Sequence, residues 1–280
     1  MAPPAHRVAA ARSLVVTLNP IELLRQFRHR AHAEHLSTVD DGATAFAAWM
    51  AAHGNIVVAG PFLGMRYPRR WGDASAPAKW LGSYEHELAD PIETMIARSP
   101  LRVVVIGSAD GYYSVGFSLR LPHARIDAFD PEWLARINTR RLARLNGSNT
   151  RLALHGLATT ERLSRVLGHE SALIVCDCEG GEDILIDPVR TPALERCDLI
   201  VEVHEREDKT RGSRIAARFP NHRIEWIESR ERSMTAFPAL LPLPEPLRSH
   251  IVREFREFGE RWLVLRAPGR TGEAAENCGA

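Results

Sequence analysis

The feature that most constrains this chain is an alternation of apolar strand-like runs and helical stretches between Leu101 and Leu265. Leu101–Ile106 is continuously apolar apart from one arginine. Such a run suits a strand buried on both faces, as in a parallel sheet. Further strands are expected at Arg125–Phe129, Leu152–Leu157, Ala172–Cys178, Leu199–His204, Arg223–Ile227 and Trp262–Leu265. Between and before them, helices are expected at Glu85–Arg98, Tyr112–Leu121, Pro131–Leu145, Glu161–Leu167, Glu182–Ile186, Pro192–Arg196, Arg214–Phe219 and Glu245–Phe258. Regular alternation of this kind predicts an α/β fold with a doubly wound, mostly parallel seven-stranded sheet.

Upstream the text is less regular. Asn19-Pro20 reads as a helix N-cap followed by proline at the first helical position. Thr44–Ala52 reads as a helix capped by Gly54, and Ile56–Val58 as a short strand. Residues 61–83 are rich in Gly, Pro, Trp and Arg, which predicts a loop or short hairpin outside the core. The expected organisation is a helical N-terminal extension with a pre-domain loop over 1–83, a sheet domain over 84–268, and a polar, disordered tail over 269–280.

Composition excludes several classes. The formal net charge of the 280 residues is +1, so no strong field steers the molecule toward nucleic acid or a membrane. No apolar stretch is long enough to span a bilayer, and Leu14–Leu18 is too short for a secretory signal. Cys176, Cys178, Cys197 and Cys278 have no zinc-ligand spacing, and the first two sit in an apolar run as reduced core thiols. These points predict a cytoplasmic protein. Lys79 and Lys209 are the only lysines, the other basic residues being arginines, which reads as compositional bias rather than anion recognition.

In an open α/β sheet, ligands bind at the carboxyl ends of the strands. The first strand is followed by Gly107-Ser108-Ala109-Asp110-Gly111-Tyr112. Glycines let backbone approach a ligand, and the following helix offers free N–H groups. The dinucleotide pattern G-x-G-x-x-G is not met, because Ala109 stands at its second glycine and the third is missing. No Walker-type lysine follows. Asp130 ends the second strand about 20 residues further on, where an acid accepts hydrogen bonds from ribose hydroxyls. The competing role is a cap for the helix starting at Pro131.

Together, GSADGYYSVGFSLRLP, IDAFDPE and LIVCDCEGGE resemble class I S-adenosylmethionine-dependent methyltransferases, and among them the FkbM-like ones. GPFLGMRYP and LGSYEHEL are similar to segments ahead of the first strand in such proteins, so the resemblance covers about residues 56–266. It implies a Rossmann-like methyltransferase fold, with S-adenosyl-L-methionine held by Gly107, Ser108, Ala109, Asp110, Gly111 and Tyr112. It puts Asp130 on the ribose, Tyr84 and Glu85 at the methionine end, and Ala158 beside the adenine. Asp177 also joins the cofactor contacts. Val105 departs from the family, which carries an acid or amide two residues before the first glycine.

The ends of the fourth and fifth strands are acidic. They read Cys176-Asp177-Cys178-Glu179-Gly180-Gly181-Glu182 and Val201-Glu202-Val203-His204-Glu205. Alternation along a strand gives Asp177 and Glu179 one direction, and Glu202 and His204 one direction. Two chemistries fit. His204 with Asp177 and Glu179 forms a catalytic group in which His204 is the general base. Alternatively Asp177, Glu202 and His204 ligate a divalent metal such as Mg. A purely structural set of helix caps is the third reading.

The remaining candidates carry less. Arg66, Arg69, Arg70 and Trp71 form a basic-aromatic cluster, His29, His32 and His35 share a helical stretch, and Phe237–Pro246 is proline-rich across the ligand edge. The functional expectation is O-methylation of a hydroxylated small molecule, a sugar or secondary metabolite, with no nucleic-acid or membrane partner and with a homo-oligomer allowed. An NAD-dependent oxidoreductase and a catalytically silent nucleotide-binding or assembly module are the rivals.

Overall fold

The computed structural model describes residues 49, 51–68, 75–205, 208–230, 237, 240, 245, 248, 252 and 261–269. The expected helix from Asn19, the histidines His29, His32 and His35, the residues Arg69, Arg70 and Trp71, and the tail beyond Gly269 lie outside these residues. So do all of Phe237–Pro246 except Phe237, Leu240 and Glu245. Of the helix expected over Glu245–Phe258, only Glu245, Arg248 and Val252 are described; all three are helical, and Val252 is buried.

The strands are β1 (Arg102–Ile106), β2 (Arg125–Phe129), β3 (Leu152–His155), β4 (Leu173–Cys176), β5 (Asp198–Val203), β6 (Arg223–Glu228) and β7 (Arg261–Arg266). They form one sheet in the order β3-β2-β1-β4-β5-β7-β6. β3, β2, β1, β4 and β5 are parallel, and β7 runs antiparallel to both its neighbours. This is the doubly wound, mostly parallel seven-stranded, Rossmann-like α/β sheet expected from the sequence.

The helices are α1 (Ala76–Leu81), α2 (Ala89–Ala97), α3 (Tyr112–Arg120), α4 (Trp133–Leu145), α5 (Thr160–Leu167), α6 (Glu182–Leu185) and α7 (Arg211–Ala217). Two of them show their end chemistry plainly. Thr159 caps α5 by accepting the Arg162 amide at 3.3 Å, and Gly82 closes α1 in the left-handed region.

Side-chain alternation splits the sheet into two cores. Val103, Val105, Ile126, Leu173, Val175 and Trp262 face one apolar cluster, which includes Val115 and Phe117 of α3. Val104, Ile106, Phe129, Ile174, Val201 and Leu263 face the other, with Leu163 and Leu167 of α5 and Ile215 of α7.

The stretch 61–83 departs from expectation. Residues 61–68 do form a tight turn, with a β-bridge between Ile56 and Arg66. However, Phe62, Met65 and Tyr67 are fully buried, and they belong to the same core cluster as β1 and α3. The Phe62 ring lies over α3, where a Cβ on Gly116 would come within 2.5 Å of it. Glycine at 116 is therefore what lets this segment close on the helix. The local text hid this role because three apolar side chains among Gly, Pro and Arg have no period to read.

Candidate functional site

The carboxyl ends of β1, β2, β4 and β5 lie along one edge, and the backbone locks them together. The Gly107 and Ser108 amides both donate to the Phe129 carbonyl, at 2.9 and 3.0 Å, and the Asp177 amide donates to Ile106 at 2.9 Å. Gly107 has φ +83°, and a Cβ there would sit 1.7 Å from the Asp177 carbonyl oxygen. The missing side chain is thus required first by the packing of the turn against the end of β4.

Within the turn, Ala109 holds φ +46°, a conformation L-residues enter at a cost. Its amide donates to Asp130 Oδ2 at 2.8 Å, while Asp130 Oδ1 takes the Glu132 amide at 2.8 Å. Asp130 is buried, so it both stitches the turn and caps the start of the next segment.

Asp110 goes elsewhere than expected. Its carboxylate is bonded to Lys79 Nζ at 3.0 Å, to the Tyr67 hydroxyl, and to the Tyr112 amide at 3.2 Å. Lys79 also lies over the Tyr84 ring, 4.8 Å from its centroid. Asp110 and Tyr112 are buried, so both side chains join the core instead of the open edge. Ser108 is buried too, with its hydroxyl 3.5 Å from that of Thr139. The Gly107, Ser108, Ala109 and Gly111 amides are engaged within the protein, so the turn offers a ligand close approach rather than free donors. Ala158 lies after β3, packed into the second core cluster. A cleft of about 360 Å³ opens at the ends of β2 and β3, lined by Phe129, His155, Gly156, Arg162, Arg165 and Val166.

The acidic edge is assembled differently from its sequence pattern. β4 ends at Cys176, and Glu179 turns through φ +58°, so simple alternation no longer relates Asp177 to Glu179. Even so, both face His204: Nε2 lies 3.8 Å from Asp177 Oδ1 and 3.5 Å from Glu179 Oε2. The other ring nitrogen, Nδ1, is bonded to Glu182 Oε1 at 2.8 Å. Glu182 has 0% exposure. On its far side, Arg211 approaches Glu182 Oε2 at 3.9 Å and donates to the His204 carbonyl.

Charge follows from this geometry. Burial opposes a charged imidazole, but the Glu182 bond and the nearby Asp177, Glu202 and Glu182 carboxylates outweigh it and hold the His204 pKa at about 10. For Glu182, burial raises and the His204 bond lowers, with a net depression. His204 is an imidazolium at neutral pH. Its neighbours thus favour the charged ring, and acting as a general base would require His204 first to give up a proton that they hold.

The expected metal set is also not assembled. Among the described residues, ligand atoms within 4.8 Å of one another belong to Asp177–Glu179–His204 and to Glu85–Asp177–Glu202, not to Asp177–Glu202–His204. Glu202 instead groups with Glu85, which sits at φ +47° and accepts from the Tyr113 hydroxyl. Burial first, and Glu85 next, push the Tyr113 hydroxyl well above the usual tyrosine range, so it stays a donor. Cys178 is likewise pushed up, first by its contact with Cys176 and then by burial, so it remains a thiol.

Sequence reasoning missed Glu182, Arg211, Tyr113 and Lys79. Glu182 and Arg211 sit at the starts of the short helices α6 and α7, and nothing in their local text separates them from ordinary caps. Lys79 did carry a signal. In a chain that otherwise uses arginine, a lysine marks a place where a slim ammonium fits and a guanidinium does not.

No family model matches the chain, and no curated protein matches it. Among solved structures it is similar to the O-methyltransferase TomG from Streptomyces achromogenes, in complex with SAM. That match has 12% identity, covers 85% of this chain and 95% of that one, and has a TM-score of 0.42. An O-methyltransferase from Bacillus cereus, in complex with SAH, is 11% identical over 85% and 96% of the two chains, at a TM-score of 0.42. A methyltransferase from Geobacter sulfurreducens is 16% identical over 86% and 96%, at 0.40. The fold assignment rests on the strand order itself.

No helix among the described residues is long and apolar enough to cross a membrane.

Proposed function

We propose that the chain is an S-adenosylmethionine-dependent methyltransferase, acting on an oxygen of a hydroxylated small molecule such as a sugar or secondary metabolite. One observation carries the reading. A glycine turn stitched to Asp130 and a carboxylate cluster around one imidazolium lie along the same carboxyl edge of a sheet ordered 3-2-1-4-5-7-6.

The donor set fits the cofactor. Glu85, Asp177 and Glu202 bring carboxylate oxygens within 4.8 Å of one another, and such a group favours a positively charged ligand. S-adenosylmethionine carries a sulfonium and an ammonium, and when bound it supplies an activated methyl group. Glu85 and Tyr84 would hold its methionine end, Asp130 and the close-lying backbone of the 107–111 turn its ribose side, and Ala158 its adenine.

The chain's own residues do the rest. Most of the rate comes from holding the acceptor oxygen in line, which is worth an effective molarity of up to ~10⁵–10⁸ M. His204, as a cation, stands 3.8 Å from Asp177 and 3.5 Å from Glu179 and balances part of the charge there. One of these carboxylates takes the hydroxyl proton as the oxygen is methylated. General-base help of this kind is worth roughly 10²–10⁴-fold, so alignment matters more.

Calorimetry with S-adenosylmethionine, S-adenosylhomocysteine and NAD is the test. Binding of both sulfur compounds without NAD is the expected result. Binding of NAD alone would turn the reading to an oxidoreductase, and binding of none to a silent module.

A further inference from the structure

We propose that Glu182 is a positioning residue for the reaction proposed above: its carboxylate fixes the His204 ring so that Nε2 is presented to Asp177 and Glu179. The inference rests on that reading for the reaction, but the arrangement itself can be tested without any acceptor.

The geometry is specific. Glu182 Oε1 takes the His204 Nδ1 proton at 2.8 Å and the Gly180 amide at 2.9 Å, and the Cys178 thiol lies 3.7 Å away. The residue is fully buried, in the first turn of α6. Taking a carboxylate out of water costs several kcal/mol, so a cap made by a neutral side chain would be cheaper if capping were its whole task. A carboxylate behind an imidazole does something a neutral cap does not. It fixes which nitrogen carries the inner proton and in which plane the ring lies.

Arg211 completes the clamp from α7. It faces the other Glu182 oxygen and bonds the His204 backbone carbonyl, so ring and main chain are held from two elements. With Nδ1 engaged, only Nε2 is presented outward. It lies 3.5 Å from Glu179 and 3.8 Å from Asp177, too far for good direct hydrogen bonds to either. Separations of this kind suit a third polar group shared among the three, and a bound hydroxyl is such a group. Glu182 therefore acts at one remove, setting the direction of a donor that meets the acceptor oxygen.

The test uses the full chain labelled with ¹⁵N, with the His204 ring signals assigned by their loss in His204→Gln. In the native protein, the Nδ1-bound proton should be visible and slow to exchange with water. Glu182→Met removes the acceptor at similar volume, and the proton should then exchange too fast to be seen. Glu182→Gln keeps an acceptor oxygen and should restore the signal. S-adenosylhomocysteine affinity of the native chain is measured alongside, as the separate check on the methyltransferase reading. An exposed, fast-exchanging Nδ1 proton in the native protein overturns the proposal whether or not the variants fold. So does a signal retained in Glu182→Met. Failure of S-adenosylhomocysteine to bind the native chain would instead overturn the methyltransferase reading and leave the ring result standing.

Discussion

The two halves of the ligand edge are built on opposite principles. In the turn after β1, polar groups are closed off in pairs: Asp130 on two amides, Asp110 on Lys79, Tyr67 and Tyr112. At the ends of β4 and β5, one imidazolium faces Asp177, Glu179 and Glu182, with Glu202 and Glu85 close by. The first half is rigid because its charges and donors are satisfied within the fold. The second carries an excess of negative charge that a positively charged ligand relieves. Rigidity in one half and unbalanced charge in the other are what a site needs when it must hold a cofactor still and move a proton beside it.

The contrast can be broken most severely at Gly107. Gly107→Ala puts a methyl group into the Asp177 carbonyl at φ +83°, and should cost about 3 kcal/mol or more and abolish S-adenosylhomocysteine binding. Urea denaturation and calorimetry read the two effects. Next is Lys79→Met, which strands the Asp110 charge in the core and should cost ~3–5 kcal/mol. Adding Asp110→Asn to it should recover a large part, and no recovery would show that Asp110 is not held as an ion.

The acidic half responds to pH rather than to packing. His204 has its pKa raised from 6.5 to about 10, so its stabilising contribution is complete below pH 6.5 and fades as pH rises through 10. Glu182 has its pKa lowered from 4.5, so its contribution is present above that value and is lost as pH falls through the depressed one. Melting temperature against pH should therefore decline on the alkaline side, and His204→Gln should flatten that decline. The smallest effect belongs to Ala109→Gly. It relieves a left-handed alanine and should gain roughly 0.5–1 kcal/mol with no loss of binding.

Much of this was legible in the sequence, and the reason differs by region. β1 and β4 announced themselves because strands buried on both faces read as near-continuous apolar runs. The ends of β3, β4 and β5 were read too far, to Leu157, Cys178 and His204 instead of His155, Cys176 and Val203. Hydrophobicity continues past the point where the backbone turns, and nothing local marks the positive φ of Glu179. Asp198 was left out of β5, since a charge rarely opens a buried strand. Its partners, Arg98 at 2.9 Å and the Ala267 amide at 2.9 Å, come from distant parts of the chain. The cluster of acids with His204 was visible as a concentration of residue types. Which nitrogen faces which acid, and hence the charge of the ring, depends on the tertiary contact with Glu182 and could not be read locally.

The closure of Phe62 over Gly116 has a consequence for how the sequence can drift. A Cβ at 116 has no room while a phenyl ring stands at 62. A smaller residue at 62 opens that room, yet leaves a void if 116 stays bare. The two positions lie on either side of β1, one in the segment before the sheet and one in the helix behind the glycine turn. They are nonetheless bound to change as a pair, so the upstream segment helps decide which helices this sheet can carry.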